Sequence, residues 1–449
     1  MNTGDKQKRL LEGNVYRLII SLAIPTMLTM IITSVYNMAD AYFVGRISVS
    51  ASGAVSVVYS YMAIVQAFGY FFGHGSGNYV SRKLGAGERE KAETMATVGF
   101  FSAFVFGAAA MAAGLTFLKP LAYFLGSTDT ILPYAEDYLK YILIGTPFMA
   151  ASLVLNNQLR FQGSAIYAMT GIFTGGLLNI GLDFLFIIRI GLGTSGAGLA
   201  TAISQFVSFC ILLIGTLFGG NIRIKLNRLK PTAHLYKEIL RCGLPSFARQ
   251  STSSLSVIFI NYACAAAAPL AADEMIAAFG ITAKITGLLY ALILGFGQGF
   301  QPVCGFNFGA KKYDRVIKGF AFSAAVASVL GLFLGLLGII FAKWAVSAFT
   351  RSENVIGYAA YALKLQCAAF GFIGYLTVSN MALQNVGSVV PATVLSLARQ
   401  GLCFIPAIAA LCFLFGSDGI FFAQPVADIA AFFLSVPLSV SLVKKLKKI

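Results

Sequence analysis

Leu84-Gly85-Ala86-Gly87-Glu88-Arg89-Glu90-Lys91 has a counterpart further along the same chain, Phe308-Gly309-Ala310-Lys311-Lys312-Tyr313-Asp314-Arg315. Each is a small-residue turn between two long apolar runs. The offset that lays Leu84 on Phe308 also lays Gly73-His74-Gly75 on Gly297-Gln298-Gly299 and Pro133-Tyr134-Ala135 on Gly357-Tyr358-Ala359. It lays Asn156 on Asn380 and Gly163-Ser164 on Gly387-Ser388. Towards the ends of the halves the match slips, by one residue at Gly193-Thr194-Ser195-Gly196 against Gly416-Ser417-Asp418-Gly419, and by four at Leu22-Ala23-Ile24-Pro25 against Cys242-Gly243-Leu244-Pro245. The chain is two versions of one plan.

Those halves belong in a membrane. Hydrophobic residues make up 58% of the 449 and charged residues 11%, where a soluble domain carries about 25% charged. Apolar runs recur at lengths that cross a hydrocarbon core of about 30 Å. No water satisfies backbone groups there, so continuous apolar runs must be helices, and the short alternating strands of a barrel are missing. The sequence predicts an all-α integral membrane protein with twelve spans, near 15–44, 51–80, 92–118, 132–157, 165–190, 197–220, 236–264, 275–305, 316–345, 354–384, 391–415 and 419–443. Six spans per half start both halves on the same side, so the lobes are parallel and related by a pseudo-two-fold axis along the membrane normal. Duplicated halves of this kind are the usual plan of a secondary transporter. The expected division is a first lobe at 1–220, a linker at 221–241 and a second lobe at 242–449.

Charge gives the orientation. Lys and Arg gather in alternate loops: Lys6, Lys8 and Arg9; Arg82, Lys83, Arg89 and Lys91; the 221–241 linker; Lys311, Lys312, Arg315 and Lys318; and Lys444, Lys445, Lys447 and Lys448. Positive loops stay inside, which puts both termini in the cytoplasm, here of a bacterial cytoplasmic membrane. The net charge of +16 is therefore mostly topology and lipid contact, and nucleic acid is not an expected partner. The polar N-terminus followed by an overlong apolar run does not read as a cleavable signal. The seven cysteines lack CxxC spacing, and His74 and His234 form no metal pattern. The glycine turns at 85–87 and 309–311 lack GxxxxGK[ST] spacing and follow no strand, so they are not phosphate loops.

Ionisable groups inside spans cost several kcal/mol and face an interior or a cavity. Asp40 lies near the outer end of span 1 and Asp183 in span 5, where Asn179, four residues earlier, shares its helix face. Thr201 sits one turn into span 6, at a similar depth. Two carboxylates, an amide oxygen and a hydroxyl suit an oxygen-lined cation site. Two buried like charges are unfavourable, so the same pair could carry a proton instead, and a hydrogen-bonded network tying spans 1, 5 and 6 is the structural alternative. The second lobe does not copy this group: the matching positions fall near Ile260, Cys403 and Ala407. It carries Lys284, Arg399 and Asp428, readable as a charge-compensated ion-pair group or as lining of a substrate path. Tyr36, Asn37, Tyr138, Met149, Asn156, Phe173, Met275 and Tyr290 are candidates to line a cavity for flat organic cations, since aromatic faces attract cations and Met adapts to varied shapes. Pro25 offers span 1 a bend, because it removes a helix hydrogen bond.

Taken together, Ala23-Ile24-Pro25, Asp40-Ala41-Tyr42-Phe43-Val44-Gly45-Arg46, Leu84-Gly85-Ala86-Gly87 and the Gly193–Thr201 segment resemble the multidrug and toxic compound extrusion (MATE) family, within it the bacterial MepA-like branch. The resemblance covers the whole chain. It implies an antiporter that expels organic cations or drugs in exchange for Na⁺ or H⁺, with no other cofactor. It implies that Asp40, Asn179, Asp183 and Thr201 form the coupling site, with the Ala197 carbonyl as a further ligand. Another branch keeps acids in spans 7 and 10; here span 7 has none and Glu353 lies only at the mouth of span 10, which favours the first lobe. A major-facilitator protein would show a GxxxDRxGRR-like loop where Ser81–Arg89 stands. A flippase for lipid-linked saccharides would want a basic cavity, which Arg249, Lys284 and Arg399 leave open, as does an exporter of an endogenous metabolite. A membrane enzyme would need a nucleophile–base or metal constellation, and unlike halves make a poor symmetric channel. A twelve-helix pair of lobes is expected to work as a monomer.

Overall fold

The computed structural model of the chain describes residues 3–448, with the side chains of Thr3, Ala41 and Val49 left aside. Among the described residues the secondary structure is helical, without strands. In order, the helices are α1 (Thr3–Glu12), α2 (Val15–Gly45), α3 (Val49–Gly85), α4 (Arg89–Thr116), α5 (Leu118–Phe124), α6 (Leu132–Phe161), α7 (Ala165–Asp183) and α8 (Gly193–Gly215). Then come α9 (Ala233–Ala267), α10 (Ala272–Gly309), α11 (Tyr313–Ile340), α12 (Ala342–Ser347), α13 (Glu353–Ala368), α14 (Phe370–Asn385), α15 (Val389–Leu397), α16 (Phe404–Phe415) and α17 (Asp418–Lys448). π-helical segments, Phe184–Arg189 and Ala398–Leu402, follow α7 and α15.

The duplicated turn is duplicated bond by bond. After α3, Ala86 N–H donates to Arg82 O, Gly87 N–H to Leu84 O and Glu88 N–H to Lys83 O. After α10, Ala310, Lys311 and Lys312 donate to Phe306, Phe308 and Asn307 in the same pattern. The pattern needs a left-handed residue beyond the helix end, and Gly87 supplies it at φ +79°. Lys311 occupies the same conformation at φ 59°, where a side chain is strained. Further on, the Asn156 amide donates to Ala168 O at 2.9 Å and the Asn380 amide to Ala392 O at 2.6 Å, the same contact one repeat later.

Among the described residues ten helices, the continuous α15–α16 stretch counted as one, are long and apolar enough to span a membrane, and the pair α13–α14, bent by 54°, makes an eleventh. The sequence predicts twelve. The difference is α9, which is 35 residues long but carries Arg249-Gln250-Ser251-Thr252-Ser253-Ser254 in its middle. That run lowers its hydropathy below that of a plain lipid-facing span. The bend between α13 and α14 likewise falls inside the expected span 354–384, whereas its first-half counterpart, α6, continues through Pro147 as one helix.

Contacts divide the chain into two compact units. The first comprises Met1–Gly13 and Leu28–Phe247, the second Asn14–Met27 and Ala248–Ile449. The changes of unit within α2 and α9 each come two residues after a proline, Pro25 and Pro245. Proline lacks the N–H that would carry the helix ladder past it, so each long helix is weakest where it passes from one unit to the other.

The first unit is organised around α6, which packs on α3, α4 and α8 and contributes Tyr138, Leu139, Ile142 and Leu143 to the apolar core. In the second, α10, α11, α13 and α14 share a core that includes Ile293, Leu334, Leu363 and Phe370. Association of helices in lipid relies on close backbone approach more than on a hydrophobic drive. Gly107 shows this in the first unit: a Cβ there would lie 2.7 Å from Pro147 Cα. The counterpart Gly331 does the same in the second, where a Cβ would lie 2.3 Å from Phe370 O.

Candidate functional site

The first unit encloses a cavity with about 800 Å³ of empty space, including the part open to solvent. Its walls are faces of five helices, with Gln66 and Tyr70 contributed by α3. Thr29, Thr33 and Tyr36 come from α2; Met149, Ser152 and Asn156 from α6; Gly175, Gly176 and Asn179 from α7; Thr201, Ser204, Gln205 and Ser208 from α8. Spacings of three and four residues put each set on one side of its helix. Small residues make the room: a Cβ on Gly145 would sit 2.8 Å from Gln205 Oε1, and one on Gly198 would sit 2.8 Å from Tyr138 O.

Asn179 and Thr201 link this cavity to the carboxylates. The Asn179 amide donates to Thr201 Oγ1 at 3.3 Å. The Tyr138 hydroxyl donates to Asp40 Oδ2 at 3.2 Å and also interacts with Thr201 and with Asp183, which in turn feels the charge of Asp40. Asp183 is wholly buried, and among the described residues neither of its oxygens has a hydrogen-bond partner. Asp40 Oδ1 and Asn179 Oδ1 are likewise buried and without partners among the described residues. Ala197 is fully buried on α8, one turn before Thr201. Buried acceptors with nothing to accept from are rare and call for a water, a proton or an ion. An all-oxygen set of two carboxylates, an amide and a hydroxyl matches a hard monovalent cation. Among the described residues no three His, Cys, Asp or Glu side chains cluster, so a transition-metal site is not built here.

The other predicted cavity residues distribute unevenly. Tyr36, Met149 and Asn156 line the first cavity. Tyr138 is buried behind it, against Asp40. Phe173 is 41% exposed, one residue round the helix from the lining Ile172. Asn37 is half-buried beside the lining Tyr36 and is not part of the wall. Met275 is in an apolar core with Phe279 and Phe421.

In the second unit Arg399 Nε and Asp428 Oδ1 pair at 2.9 Å, Gln424 Nε2 donates to the same oxygen at 2.8 Å, and the Arg399 guanidinium lies 4.6 Å from the centre of the Tyr290 ring. The π-helical segment gives Arg399 its position, and the carbonyl it frees on Gln400 accepts from Ser256 Oγ at 2.7 Å. Lys284, expected in the same charge-compensated group, is exposed on α10 and forms no ion pair among the described residues. Arg249, Tyr290, Thr377, Asn380, Ser396 and Arg399 border a second, smaller cavity of about 380 Å³.

Sequence reasoning passed over Thr29, Thr33, Gln66, Tyr70, Ser152, Ser204, Gln205 and Ser208, all in the wall of the first cavity. Their signal was present as helical spacing of polar residues within apolar runs.

Comparison with known proteins agrees with this architecture. The MatE family model matches residues 25–185 and 245–409. "Multidrug export protein MepA" of Staphylococcus haemolyticus is 27% identical over 439 residues, covering 97% of this chain and 95% of that protein. The protein of the same name in Staphylococcus aureus strain NCTC 8325 is 26% identical over 423 residues, covering 93% and 92%. Among solved structures, an outward-facing multidrug resistance MATE family transporter of the MOP superfamily superposes with a TM-score of 0.92 over 98% of both chains at 23% identity. A Pyrococcus furiosus MOP superfamily transporter, described as having a binding pocket of reverse polarity, gives 0.90 over 98% of both at 24%. At such identity these structures speak for the fold alone.

Proposed function

We propose, from the premise that the chain belongs to the MatE family, that it is a multidrug efflux transporter working as a cation-coupled antiporter. Export relatives that align over nearly the full length support the multidrug part. One observation supports the coupling part: Asp183 is buried with both oxygens unpartnered, beside the unpartnered oxygens of Asp40 and Asn179.

The chemistry follows from that group. With a proton or Na⁺ from outside, the two carboxylates lose mutual repulsion and the orphaned oxygens gain a partner. Without one, the pair is a buried negative charge beside a cavity of aromatic, amide and hydroxyl groups, which attracts an organic cation. Tyr36 and Tyr70 offer ring faces, Met149 adapts to shape, and Gln66, Asn156 and Gln205 offer dipoles. Asn179 and Thr201 belong to both places. Ion and drug are therefore opposed through shared side chains, and exchange requires only that each prefer a different state of the protein. Tyr138 orients Asp40 by its hydrogen bond. The basic loops support a bacterial cytoplasmic membrane with both termini inside and contact with anionic lipid, and the protein works as a monomer.

Efflux of a fluorescent organic cation from proteoliposomes tests this. Efflux driven by an imposed Na⁺ or proton gradient, and lost in Asp183→Asn, is the expected result. Absence of gradient-driven efflux from folded wild-type protein would overturn it.

A further inference from the structure

The second unit's cavity differs electrically from the first, whose wall carries no charged side chain among the described residues. Among the described residues two arginines and no acidic side chain line it. Arg399 is already paired with Asp428 and stacked on Tyr290. Arg249 is different. It is partly buried in the middle of α9, and among the described residues it has neither a carboxylate nor any hydrogen-bond acceptor as a partner. Arginine keeps its charge at any working pH, so within a membrane span it needs a counter-charge or solvent.

The surroundings fit an anionic counter-charge. Arg249, Thr252 and Ser256 share one face of α9, which lies against the π-helical segment: Ser256 bonds Gln400 O, and a Cβ on Gly401 would come 2.7 Å from Thr252 Cγ2. Ser396 Oγ accepts from Asn380 Nδ2 at 2.9 Å, which leaves its own proton to give. Thr377 adds a second hydroxyl and Gln400 a side-chain amide. Donors thus surround a space of about 380 Å³, less than half of the first cavity. It suits one functional group of a ligand better than a whole drug.

We propose that this cavity is an oxyanion subsite in which Arg249 binds the carboxylate of a transported compound. The proposal rests on the drug-export reading for its physiological meaning, and on the cavity alone for its chemistry. An arginine–carboxylate contact is charge-assisted and frequently bidentate, which selects acids over esters and amides of the same shape.

The test uses a matched pair of dyes: rhodamine B, which carries a xanthylium cation and a benzoate, and its ethyl ester, which carries the cation alone. Equilibrium binding is measured by fluorescence polarisation on the purified full-length chain in uncharged detergent at pH 7. In Arg249→Gln the preference for acid over ester falls about tenfold, and Arg249→Lys, which keeps the charge but loses the fork, falls between. An unchanged preference overturns the proposal. 4-Fluorobenzoate, followed by ¹⁹F line broadening, probes the subsite without any drug: the wild type broadens it, and Arg249→Gln does not. No broadening by the wild type overturns the subsite even where both dyes bind, whereas broadening with neither dye bound counts against drug export and leaves the subsite standing. If Arg249→Gln fails to fold, displacement of rhodamine B but not of its ester by excess 4-fluorobenzoate in the wild type is the required result. Equal displacement of the two overturns it.

Discussion

Two units built on one repeat handle buried charge in opposite ways. In the first, Asp40 and Asp183 face one another's charge, and among the described residues they form no ion pair and three of their four oxygens have no hydrogen-bond partner. In the second, Asp428 is equally buried but has Arg399 at 2.9 Å and Gln424 at 2.8 Å. The duplicated turns and the Gly107 and Gly331 contacts match, so these shared parts of the scaffold do not explain the difference; a few side chains do. An incomplete charge is a place for something that comes and goes, and a complete one is a place that holds still. The separation of coupling from framework is the lesson of the comparison, and it can be broken experimentally.

The largest effect is expected where the completed pair is split. Asp428→Asn leaves the Arg399 guanidinium without its counter-charge and costs on the order of 3–5 kcal/mol, seen as a lower unfolding temperature in detergent. Replacing both, as Arg399→Met with Asp428→Leu, recovers most of that loss. If the double variant is no more stable than the single one, the pair is not the self-contained framework described here.

A smaller effect belongs to the first unit. Thr201→Val removes a hydroxyl from the coupling group and raises the ion concentration for half-maximal efflux about five- to tenfold, with the maximal rate kept. An unchanged ion dependence would remove Thr201 from the site.

The third prediction concerns α1, a piece of the first unit before the repeated part of the chain. Lys6 Nζ reaches Ser164 Oγ and Asn221 Oδ1, both at 2.5 Å, Gln7 Nε2 donates to Leu84 O, and Leu10 is buried by the Gly163 turn. Burial, helped by the nearby Arg89 charge, lowers the Lys6 pKa from 10.5 to about 7. A released lysine keeps its ordinary value, so protonation favours release. Docking is weakest at and below about pH 7 and strengthens as pH rises towards the ordinary lysine range. Hydrogen exchange of α1 should therefore be slower, after correction for intrinsic rates, at pH 9 than at pH 6, and Lys6→Met should abolish the difference.

The smallest effect sits in the duplicated turn. Gly87→Ala forces a side chain into a left-handed conformation and costs about 1 kcal/mol, while Lys311→Gly relieves one and gains about 0.5 kcal/mol. Thermal shifts of opposite sign would confirm that the two turns are one device with different residues.

Much of this was readable from the chain. The turn at 84–91 and its copy are local: their hydrogen bonds span only a few residues, so sequence similarity carries directly into geometry. The acids of the first unit stood out because charge is rare in spans, and Asn179 and Asp183 share a face by simple spacing. Depth along a helix was legible, but direction around it was not. Lys284 and Asp428 count to the same depth, yet only Arg399 meets Asp428. Phe173 and Ile172 are neighbours, yet only Ile172 lines the cavity. The serines and threonines of the wall were obscured because such residues often bond their own helix, as Thr33 does to Thr29 O at 2.9 Å. The bend after Ala368 lies beside Gly371, where Gly331 and Gly374 bring α11 and α14 into close contact.

The most direct test is gradient-driven efflux measured side by side for Asp183→Asn and for the Arg399→Met, Asp428→Leu double variant in the same proteoliposomes. The account predicts that Asp183→Asn no longer responds to an imposed Na⁺ or proton gradient while the double variant still does. Loss of the gradient response in the double variant, with Asp183→Asn still coupled, would contradict it.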